Sequence, residues 1–323
     1  MKHEPAPHST SILDRREWLA SGALAALGGW MALPENALHG AAPTTPAFRF
    51  CLNTGTIRGH NLTLDQEIEV ASKAGYDAIE PWMDRLNQVT QRGGSLKDLR
   101  QRLTDARLTV EGAIGFPAWC VDDEAQRAKG FEQAKRDMDL LTQLGAKRMA
   151  APPAGVPDNQ RVDPDRVAER YRQLLELGDS MGVQPVLEFW GRNPTLGRLS
   201  TAVSIAIAAG HPKACVLADV FHMYRGGSPF DGLRLLGPCA LPVFHMNDYP
   251  AQPPLDQIND RHRIFPGDGI APLTEILKTL RAIGAVPVLS LELFNPDYYK
   301  RDALEVARTG LLQMKDVVAR ATV

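Results

Sequence analysis

From residue 48 onward, short apolar runs alternate with longer amphipathic stretches. The apolar runs lack a strict polar alternation, which is typical of strands that are buried on both faces of a parallel sheet. Eight such runs are present: FRFCLNTGTI (48–57), DAIEPW (77–82), LTVEGAIGF (108–116), AKRMAAPPAG (146–155), VQPVLEFW (183–190), ACVLADVFH (214–222), LPVFHMND (241–248) and VPVLSLELF (286–294). The pattern therefore predicts an α/β fold with eight strands.

The stretches between these runs have a helical character, and several of them end in glycine, as helices often do. Examples are LTLDQEIEVASKAGY (62–76), LKDLRQRLTDARL (96–108), EQAKRDMDLLTQLGA (132–146), DPDRVAERYRQLLELGDSMG (163–182) and LTEILKTLRAIGA (273–285). Eight strand and helix repeats favour a closed (β/α)8 TIM barrel over an open doubly wound sheet. The open sheet is the alternative, although NTGTIRG (53–59) does not match the GxGxxG loop that commonly follows its first strand.

One connection departs from this regular alternation. The stretch DYPAQPPLDQINDRHRIFPGDG (248–269), between the seventh and eighth predicted strands, is too polar and too rich in proline to form a helix. Long irregular loops within compact domains usually carry function. We therefore expect this loop to contribute to a site.

The N-terminus has the order of residues that is typical of an export signal. Arg15 and Arg16 precede an apolar, alanine- and glycine-rich run that is too short and interrupted to span a bilayer. We interpret residues 1–45 as a twin-arginine signal peptide and linker, and residues 46–323 as a single barrel domain; a weakly amphipathic N-terminal helix is the alternative. The signal implies a periplasmic protein with no stable membrane insertion after cleavage.

Composition narrows the classes of partner. The 323 residues carry a formal net charge of -2 and are 44% hydrophobic, which provides enough apolar material for one large core or two modest ones. The nearly balanced charge supplies no basic stripe of the kind that binding to a phosphate backbone needs, so nucleic acid is disfavoured as a partner. The composition remains compatible with a small polar substrate and with a homo-oligomer.

The chain has four cysteines, Cys51, Cys120, Cys215 and Cys239. They form no CxxC pair and have no regular spacing, which excludes a zinc ribbon and does not indicate a disulfide framework. One bridge between Cys215 and Cys239 is an option in an exported protein, and free buried thiols are the other.

Polar side chains occur at the ends of four consecutive predicted strands that are otherwise apolar. Glu188 ends the fifth, Asp219 the sixth, His245 lies near the end of the seventh, and Glu292 near the end of the eighth. In a TIM barrel the carboxyl ends of the strands surround the active site, so we expect these four side chains to converge there. We call them the strand-end set.

Each member of the strand-end set has a structural explanation when it is taken alone. Glu188 could pair with a buried arginine, and His245 could be a hydrogen-bonded core histidine. Three carboxylates in one low-dielectric cavity, however, require a compensating cation or the uptake of protons. We therefore predict a catalytic divalent metal. The mainly oxygen donor set favours Mn²⁺, with Mg²⁺, Co²⁺ and Zn²⁺ as alternatives.

These residues, together with several motifs, resemble a known family. Glu188 combined with LADVFHMYRGG (217–227), FHMND (244–248), RHRIFPGDG (261–269) and LSLELF (289–294) resembles the xylose isomerase-like TIM barrel superfamily. The likeness is to its sugar isomerase and epimerase branch, which includes ketose 3-epimerases and the isomerases and dehydratases of inositol catabolism. The resemblance covers the chain after the predicted signal and says little about the substrate.

The resemblance implies roles for the residues that match the family motifs. It implies that the strand-end set holds the metal and that Glu188 and Glu292 double as an acid/base pair. It also implies substrate contacts from His222 and Arg263. Glu80 falls where the family often has a glutamate after the second strand, and we assign it to the substrate as well.

Aromatic residues just past three predicted strands are candidates for the wall of a sugar site. Trp82, Phe116, Trp119 and Trp190 follow strands two, three and five, and aromatic faces commonly pack against the apolar face of a sugar ring. The alternative is that one or two of them cap the barrel core.

The function that these features predict is a metal-dependent isomerase or epimerase that acts on a keto-sugar or cyclitol through an enediolate. A lyase or dehydratase acting on a keto-glycoside or keto-inositol is the second hypothesis, and a non-catalytic carbohydrate-binding barrel is the third. The DNA-repair endonuclease branch of the superfamily is disfavoured. It has extra histidines after the early strands, whereas IEPWMD (79–84) and IGFPAWC (114–120) contain none.

Overall fold

The computed structural model describes residues 48–322, so the predicted signal in residues 1–45 lies outside the described residues. Among the described helices, none is long and apolar enough to cross a membrane. Eight strands are present: β1 (Arg49–Asn53), β2 (Ala78–Glu80), β3 (Thr109–Val110), β4 (Arg148–Ala151), β5 (Gln184–Glu188), β6 (Val216–Asp219), β7 (Val243–Met246) and β8 (Val288–Leu291).

All strand pairs are parallel, and the sheet has the order β3-β2-β1-β8-β7-β6-β5-β4. The two ends of this order approach each other, since the backbone amide of Ala150 in β4 donates to the carbonyl oxygen of Ala113, just past β3, at 2.9 Å. The sheet thus curls into a barrel, and the predicted (β/α)8 fold is confirmed.

Helices surround the barrel: α1 (Leu64–Ala74), α2 (Met83–Gln91), α3 (Leu96–Asp105), α4 (Glu124–Leu144), α5 (Pro164–Met181), α6 (Leu199–Ala208), α7 (Val220–Arg225), α8 (Leu273–Ala282) and α9 (Ala303–Arg320). Gly75, Gly145 and Gly182 end α1, α4 and α5 in the left-handed conformation that the sequence pattern predicts. α4 begins well before its predicted segment, at Glu124, because the side chain of Asp123 caps it by accepting from the amide of Gln126.

The strand register brings the polar strand ends to one level of the barrel. Asn53 pairs with Glu80, and Asp219 pairs with His245 in the neighbouring strand. Met246, next to His245, pairs with Leu291, the last residue of β8 before Glu292. Six strands, β1, β2 and β5 to β8, therefore place polar side chains at the same end of the barrel.

The loop between β7 and α8 is irregular, as predicted, and folds back over that end of the barrel. Asp248 and Ile264 form an antiparallel bridge. The carboxylate of Asp248 accepts hydrogen bonds from the backbone amides of Gly267, Gly269 and Ala271. These bonds fix the loop from within, and they place Arg263, which precedes Ile264, above the strand ends.

The four cysteines are free thiols. Cys51, Cys120 and Cys215 are buried, and Cys239 is exposed. The optional bridge between Cys215 and Cys239 is therefore wrong, and the alternative of free thiols holds, with Cys239 as the exposed exception.

Gly178 allows α5 to lie against β5. A methyl group at this position would overlap the carbonyl oxygen of Val183 and lie 2.5 Å from Cδ of Pro185. We expect Gly178→Ala to lower the free energy of unfolding by about 1–3 kcal/mol, because backbone atoms cannot yield as a flexible side chain does. Gly237→Ala is the control, since a methyl group there meets nothing within 4 Å. Equal urea stabilities of the two variants would contradict this account of the packing.

Glu67 in α1 is a buried carboxyl with a weak partner. Its side chain is 1% exposed, its Oε2 has no hydrogen-bond partner, and the nearest guanidinium nitrogen, Nε of Arg85, is 3.7 Å away. Burial, only partly offset by the charge of Arg85, raises the pKa of Glu67 to about 8.

A carboxyl whose pKa is raised on folding stabilises the protein below its unfolded pKa of 4.5, and this contribution is lost as the pH rises through about 8. We therefore expect wild-type stability to fall relative to Glu67→Gln between pH 5 and 8, by an amount on the order of 4 kcal/mol. Urea unfolding of both proteins at several pH values measures the difference. A difference that does not change with pH would show that Glu67 is ionised in the folded protein throughout.

Candidate active site

A cavity of about 550 Å³ opens at the carboxyl ends of the strands. This volume lies within the range that is typical of small-molecule sites. Its lining combines carboxylates, cationic side chains and aromatic rings: Trp82, Ile114, Phe116, Asp158, Glu188, Trp190, Gly191, Arg192, Asn193, His222, Arg225, Asp260, Arg263, Glu292 and Phe294.

At the base of this cavity, three members of the strand-end set converge. One ligand atom each from Asp219, His245 and Glu292 lies within 4.8 Å of the other two, and all three residues are buried. Nδ1 of His245 is 3.2 Å from a carboxylate oxygen of Glu292 and 3.8 Å from one of Asp219. Glu188 lines the same cavity but does not belong to this close group in the described part of the chain.

Glu80 orients the imidazole of His245. Nε2 of His245 lies 2.9 Å from Oε2 of Glu80, and that oxygen also accepts from Ser290 at 2.8 Å and from Asn53 at 3.0 Å. Nδ1 of His245 has no hydrogen-bond partner and faces the other carboxylates. A histidine held by a carboxylate through one nitrogen, with the other nitrogen free, is the usual arrangement of a metal-ligating histidine.

Charge at this cluster is strongly negative. Burial alone would lower the pKa of His245, but the charges of Glu292 and Glu80 outweigh it and raise that pKa well above its usual range. The carboxylates of the cluster thus stabilise positive charge on the imidazole, and a bound divalent cation would compensate the same carboxylates. Its carboxylate and imidazole donors, with an unpartnered nitrogen among them, fit such an ion.

Asp219 has two structural tasks besides its place in the cluster. Its Oδ1 caps α7 by accepting from the amide of His222 at 2.8 Å, and its Oδ2 accepts from Asn247 at 3.0 Å. Burial favours the neutral acid, but the nearby guanidinium of Arg263 outweighs it and lowers the pKa of Asp219. Asp219 is therefore an ionised donor with a fixed orientation.

Arg263 connects the cluster to the cavity. It is 1% exposed, and its Nη1 donates to Asp219 at 2.7 Å and to Glu292 at 2.9 Å. Its Nη2 donates to Asp260 at 2.8 Å and lies 3.2 Å from Nε2 of His222. Burial opposes its charge, but the three carboxylates raise its pKa still further. The guanidinium is thus permanently positive beside the cluster.

His222 lies in the first turn of the short helix α7. Burial and the adjacent Arg263 guanidinium lower its pKa, and they outweigh the opposing charge of Asp219. Its Nδ1 is buried without a partner, and its side chain lines the cavity. A neutral imidazole in this position can bind a substrate oxygen.

Glu188 and Glu292 have different surroundings. Oε2 of Glu188 is buried without a partner, and burial together with the negative charges of Glu292 and Asp219 raises the pKa of Glu188 to about 8. The carboxylate of Glu292 instead accepts from Nδ2 of Asn53 at 3.0 Å and from Arg263. One carboxyl is thereby suited to hold a proton, and the other is tied to donors.

Glu80 departs from its predicted role. Its carboxylate is 3% exposed, is enclosed by Asn53, Ser290 and His245, and does not line the cavity. It contacts the imidazole instead of the cavity because hydrogen bonds from Asn53 and Ser290 and the contact with His245 hold its carboxylate in place.

The predicted aromatic wall is present in part. Trp82, Phe116 and Trp190 line the cavity, and their rings contact one another in series, with centroid distances of 5.3 Å and 6.0 Å. Phe294 extends the series at 5.9 Å from Trp82. Phe294 was not predicted as part of the wall. It follows Glu292 by two residues, and residues two apart in an extended chain point to the same side.

Trp119 does not belong to this wall. It is fully buried, its Nε1 donates to the carbonyl oxygen of Pro152 at 2.7 Å, and its ring lies 6.0 Å from that of Tyr171. Trp119 lies in the loop that follows β3, and its side chain packs in the core. This agrees with the alternative that some of the four aromatic residues cap the barrel core.

Asn53 and Asp260 are among the polar residues of the site that the sequence pattern did not identify. Asn53 ends β1, so the rule that identified the strand-end set also applies to it. Its Nδ2 donates to Glu80 and Glu292, and its Oδ1 accepts from Nε1 of Trp82 at 2.9 Å. Asp260 lies in the long loop, where no periodic signal marks it.

Comparison with known proteins agrees with this geometry. The sequence matches the family model described as Xylose isomerase-like TIM barrel over residues 68–316, which is more than half of the chain. The chain belongs to the xylose isomerase-like TIM barrel family. The resemblance that the sequence motifs indicated is thereby confirmed.

Relatives within the xylose isomerase-like family include isomerases and dehydratases. An inosose isomerase from Bacillus velezensis is 27% identical over 278 residues, which is 84% of this chain and 98% of the relative. A 3-dehydroshikimate dehydratase from Pseudomonas putida is 26% identical over 255 residues, which is 77% of this chain but only 39% of the dehydratase. The isomerase relatives confirm the predicted class of isomerase or epimerase.

A solved structure described as IOLI protein with a binding zinc atom superposes with a TM-score of 0.78 at 26% identity. The match covers 85% of this chain and 99% of that protein. This xylose isomerase-like barrel therefore has a structural neighbour that binds a divalent metal.

The hydrogen bond from His245 to Glu80 provides a test of the metal site. We expect Glu80→Gln to weaken Zn²⁺ binding by about 10–100-fold, because the imidazole loses the carboxylate that orients it and makes it basic. Competition with a chromophoric chelator measures the affinity. Glu111→Gln is the matched control, since Glu111 is also a buried glutamate but pairs with Arg49 and Arg148 outside the cavity. Similar affinities for both variants would argue against a ligand role for His245.

Proposed function

We propose that this protein is a metal-dependent isomerase of keto-cyclitols or related keto-sugars that works through an enediolate. The observation that carries the proposal is the pair Glu188 and Glu292, which line one cavity in different electrostatic surroundings beside a buried group of metal-ligand type. A carboxyl whose pKa is raised by burial and neighbouring charge, beside a second carboxylate in the same cavity, is typical of acid/base catalysis.

Asp219, His245 and Glu292 would hold the metal, and the unpartnered Oε2 of Glu188 offers a fourth donor. When bound, a divalent ion supplies Lewis-acid polarisation of the substrate carbonyl and so acidifies the neighbouring C–H bond. Mn²⁺ is the metal that we propose from the oxygen-rich donor set. The zinc-binding neighbour supports a divalent ion without deciding which one.

The side chains of this cavity account for the movement of the proton. The raised pKa of Glu188, about 8, makes its ionised carboxylate a stronger base than an ordinary one, and in that form it can take a proton from the carbon next to the carbonyl. Return of that proton to the former carbonyl carbon, with transfer of the neighbouring hydroxyl proton to the former carbonyl oxygen, gives the isomeric ketone and conserves mass. The positive charge of Arg263 beside the cavity favours the negative charge that develops on the substrate oxygens, and Nδ1 of His222, without a partner among the described residues, is placed to bind one of them.

A keto-cyclitol is favoured as the substrate because inosose isomerases align with this chain over nearly their whole length. The 3-dehydroshikimate dehydratases support a second candidate, the elimination of a group β to the carbonyl. Both reactions begin with removal of the same proton. They differ in the products, since elimination releases water or an alcohol and changes the mass of the substrate.

The acid/base pair can be tested by isotope exchange. Wild-type protein loaded with Mn²⁺ or Zn²⁺ should exchange deuterium from D2O into 2-keto-myo-inositol at the carbon next to the carbonyl. We expect Glu292→Gln and Glu188→Gln each to slow this exchange by about 10²–10⁴-fold, the range of general acid/base catalysis. Mass spectrometry of the keto-cyclitol measures the rate of exchange and also detects elimination.

Glu275→Gln is the control for this experiment, because Glu275 is exposed on α8 and does not line the cavity. The metal content of each variant should be measured in parallel, so that loss of the ion is separated from loss of the carboxyl. Exchange at the wild-type rate in Glu292→Gln would remove that residue from the mechanism. Absence of exchange in the metal-loaded wild type would contradict the proposed function for this substrate class.

A further inference from the structure

The cavity has two zones that differ in exposure. The inner zone contains Glu188 and Glu292, each 4% exposed, with Trp82 and Phe294 beside them. Nε1 of Trp82 donates to Asn53, and the guanidinium of Arg263 lies 5.2 Å from the centre of the Phe294 ring. These two rings are therefore held by the same groups that hold the carboxylates.

The outer zone lies towards solvent and has its own aromatic surface. Phe116 is 41% exposed although it is a large apolar residue. Trp190, half-buried like Trp82 and Phe294, has its ring 6.0 Å from that of Phe116 and its side chain beside Glu188, so it borders both zones. The exposed side chains of Asp158 and Arg192 and the half-buried Asn193 complete this part of the lining. An inner ring of substrate already has aromatic neighbours, so the outer pair is free to contact something further out.

The loop that carries Trp190 is rigid. The amide of Trp190 donates to the carbonyl oxygen of Leu196 at 2.9 Å, and Oδ1 of Asn193 accepts from the amides of Thr195 and Leu196. A methyl group on Gly191 would lie 2.7 Å from the carbonyl oxygen of His222, so the loop packs directly on α7. Trp190 is thus presented on a surface that is formed before any ligand binds.

Backbone strain in the same loop points to a site. Arg192 has a φ of 78°, which is unfavourable for a residue with a side chain, and its Nη1 donates to the carbonyl oxygen of Asp256 at 3.0 Å. This bond ties the loop after β5 to the long loop after β7 across the cavity mouth. Strained backbone persists where the surrounding structure determines it, and such positions cluster at ligand sites.

We propose that the outer zone is a subsite for a second ring, so that the substrate is a keto-ring that carries a glycosyl or aryl substituent. This inference rests on the proposed function, which places the keto-ring in the inner zone. The second ring packs on Phe116 and Trp190, because aromatic faces bind the apolar face of a sugar or a flat aryl ring. The cavity volume of about 550 Å³ agrees, since such cavities enclose ligands larger than one polyol ring.

Binding of unreactive probes to the metal-loaded full chain tests this subsite by isothermal titration calorimetry. One arm compares galactinol with myo-inositol, and the other compares phenyl β-D-glucoside with methyl β-D-glucoside. We expect the two-ring probe to bind about tenfold more tightly in at least one arm, a ratio that corresponds to one aromatic contact. The arm that shows the preference identifies the second ring as glycosyl or aryl.

Phe116→Ala is the principal variant, because truncation of a partly exposed side chain leaves the core intact. We expect it, and Trp190→Ala, to reduce the ratio of the two affinities to below about threefold. Leu235→Ala is the control, since Leu235 is 89% exposed and lies outside this cavity. Equal binding of both probes by the wild type in both arms, or an unchanged ratio in Phe116→Ala, would overturn the inference.

The deuterium exchange experiment separates this inference from the proposed function. A wild type that exchanges deuterium into 2-keto-myo-inositol but does not prefer a two-ring probe retains the function and lacks the subsite. A preference that depends on Phe116, without any exchange, supports the subsite and refutes the function.

Discussion

The burial of negative charge at one end of the barrel is the constraint on which the rest of the site depends. Glu80, Glu188, Asp219 and Glu292 are all at most 4% exposed, and buried carboxylates are costly unless a cation or hydrogen-bond donors compensate them. Arg263 compensates part of this charge from the long loop. A divalent ion bound by the imidazole of His245 and its neighbours would compensate the remainder, which explains why a stable barrel tolerates this cluster.

The same constraint gives each carboxyl a different task. Hydrogen-bond donors surround Glu80, which fixes the imidazole of His245, and Arg263 and Asn53 donate to Glu292. Glu188 receives the least compensation, and its pKa is raised. Asn53 links these tasks, since its amide contacts two of the carboxylates and the indole of Trp82. A shift of either carboxylate would therefore also displace Asn53 and, through it, the indole of Trp82.

Much of the site follows from a local rule that needs no tertiary information. Polar residues at the ends of apolar strands, such as Glu188 and Asp219, are unfavourable there unless they serve a purpose, so the pattern by itself identifies them. Glu80 and Trp119 show where the rule ends. Both lie at or past strand ends, yet Glu80 contacts the imidazole of His245 and Trp119 packs in the core. The direction of the side chain, which the sequence pattern does not give, decides which groups it contacts.

The sequence by itself determined the eightfold alternation, the barrel and the order of the strand-end carboxylates, since these depend on periodicity and on residue type at short range. Only the tertiary structure decided that Arg263 reaches Asp219 and Glu292, that the cysteines stay apart and that the aromatic rings line one cavity. Those contacts join segments distant in sequence, and loop paths and packing, which no local pattern encodes, bring them together.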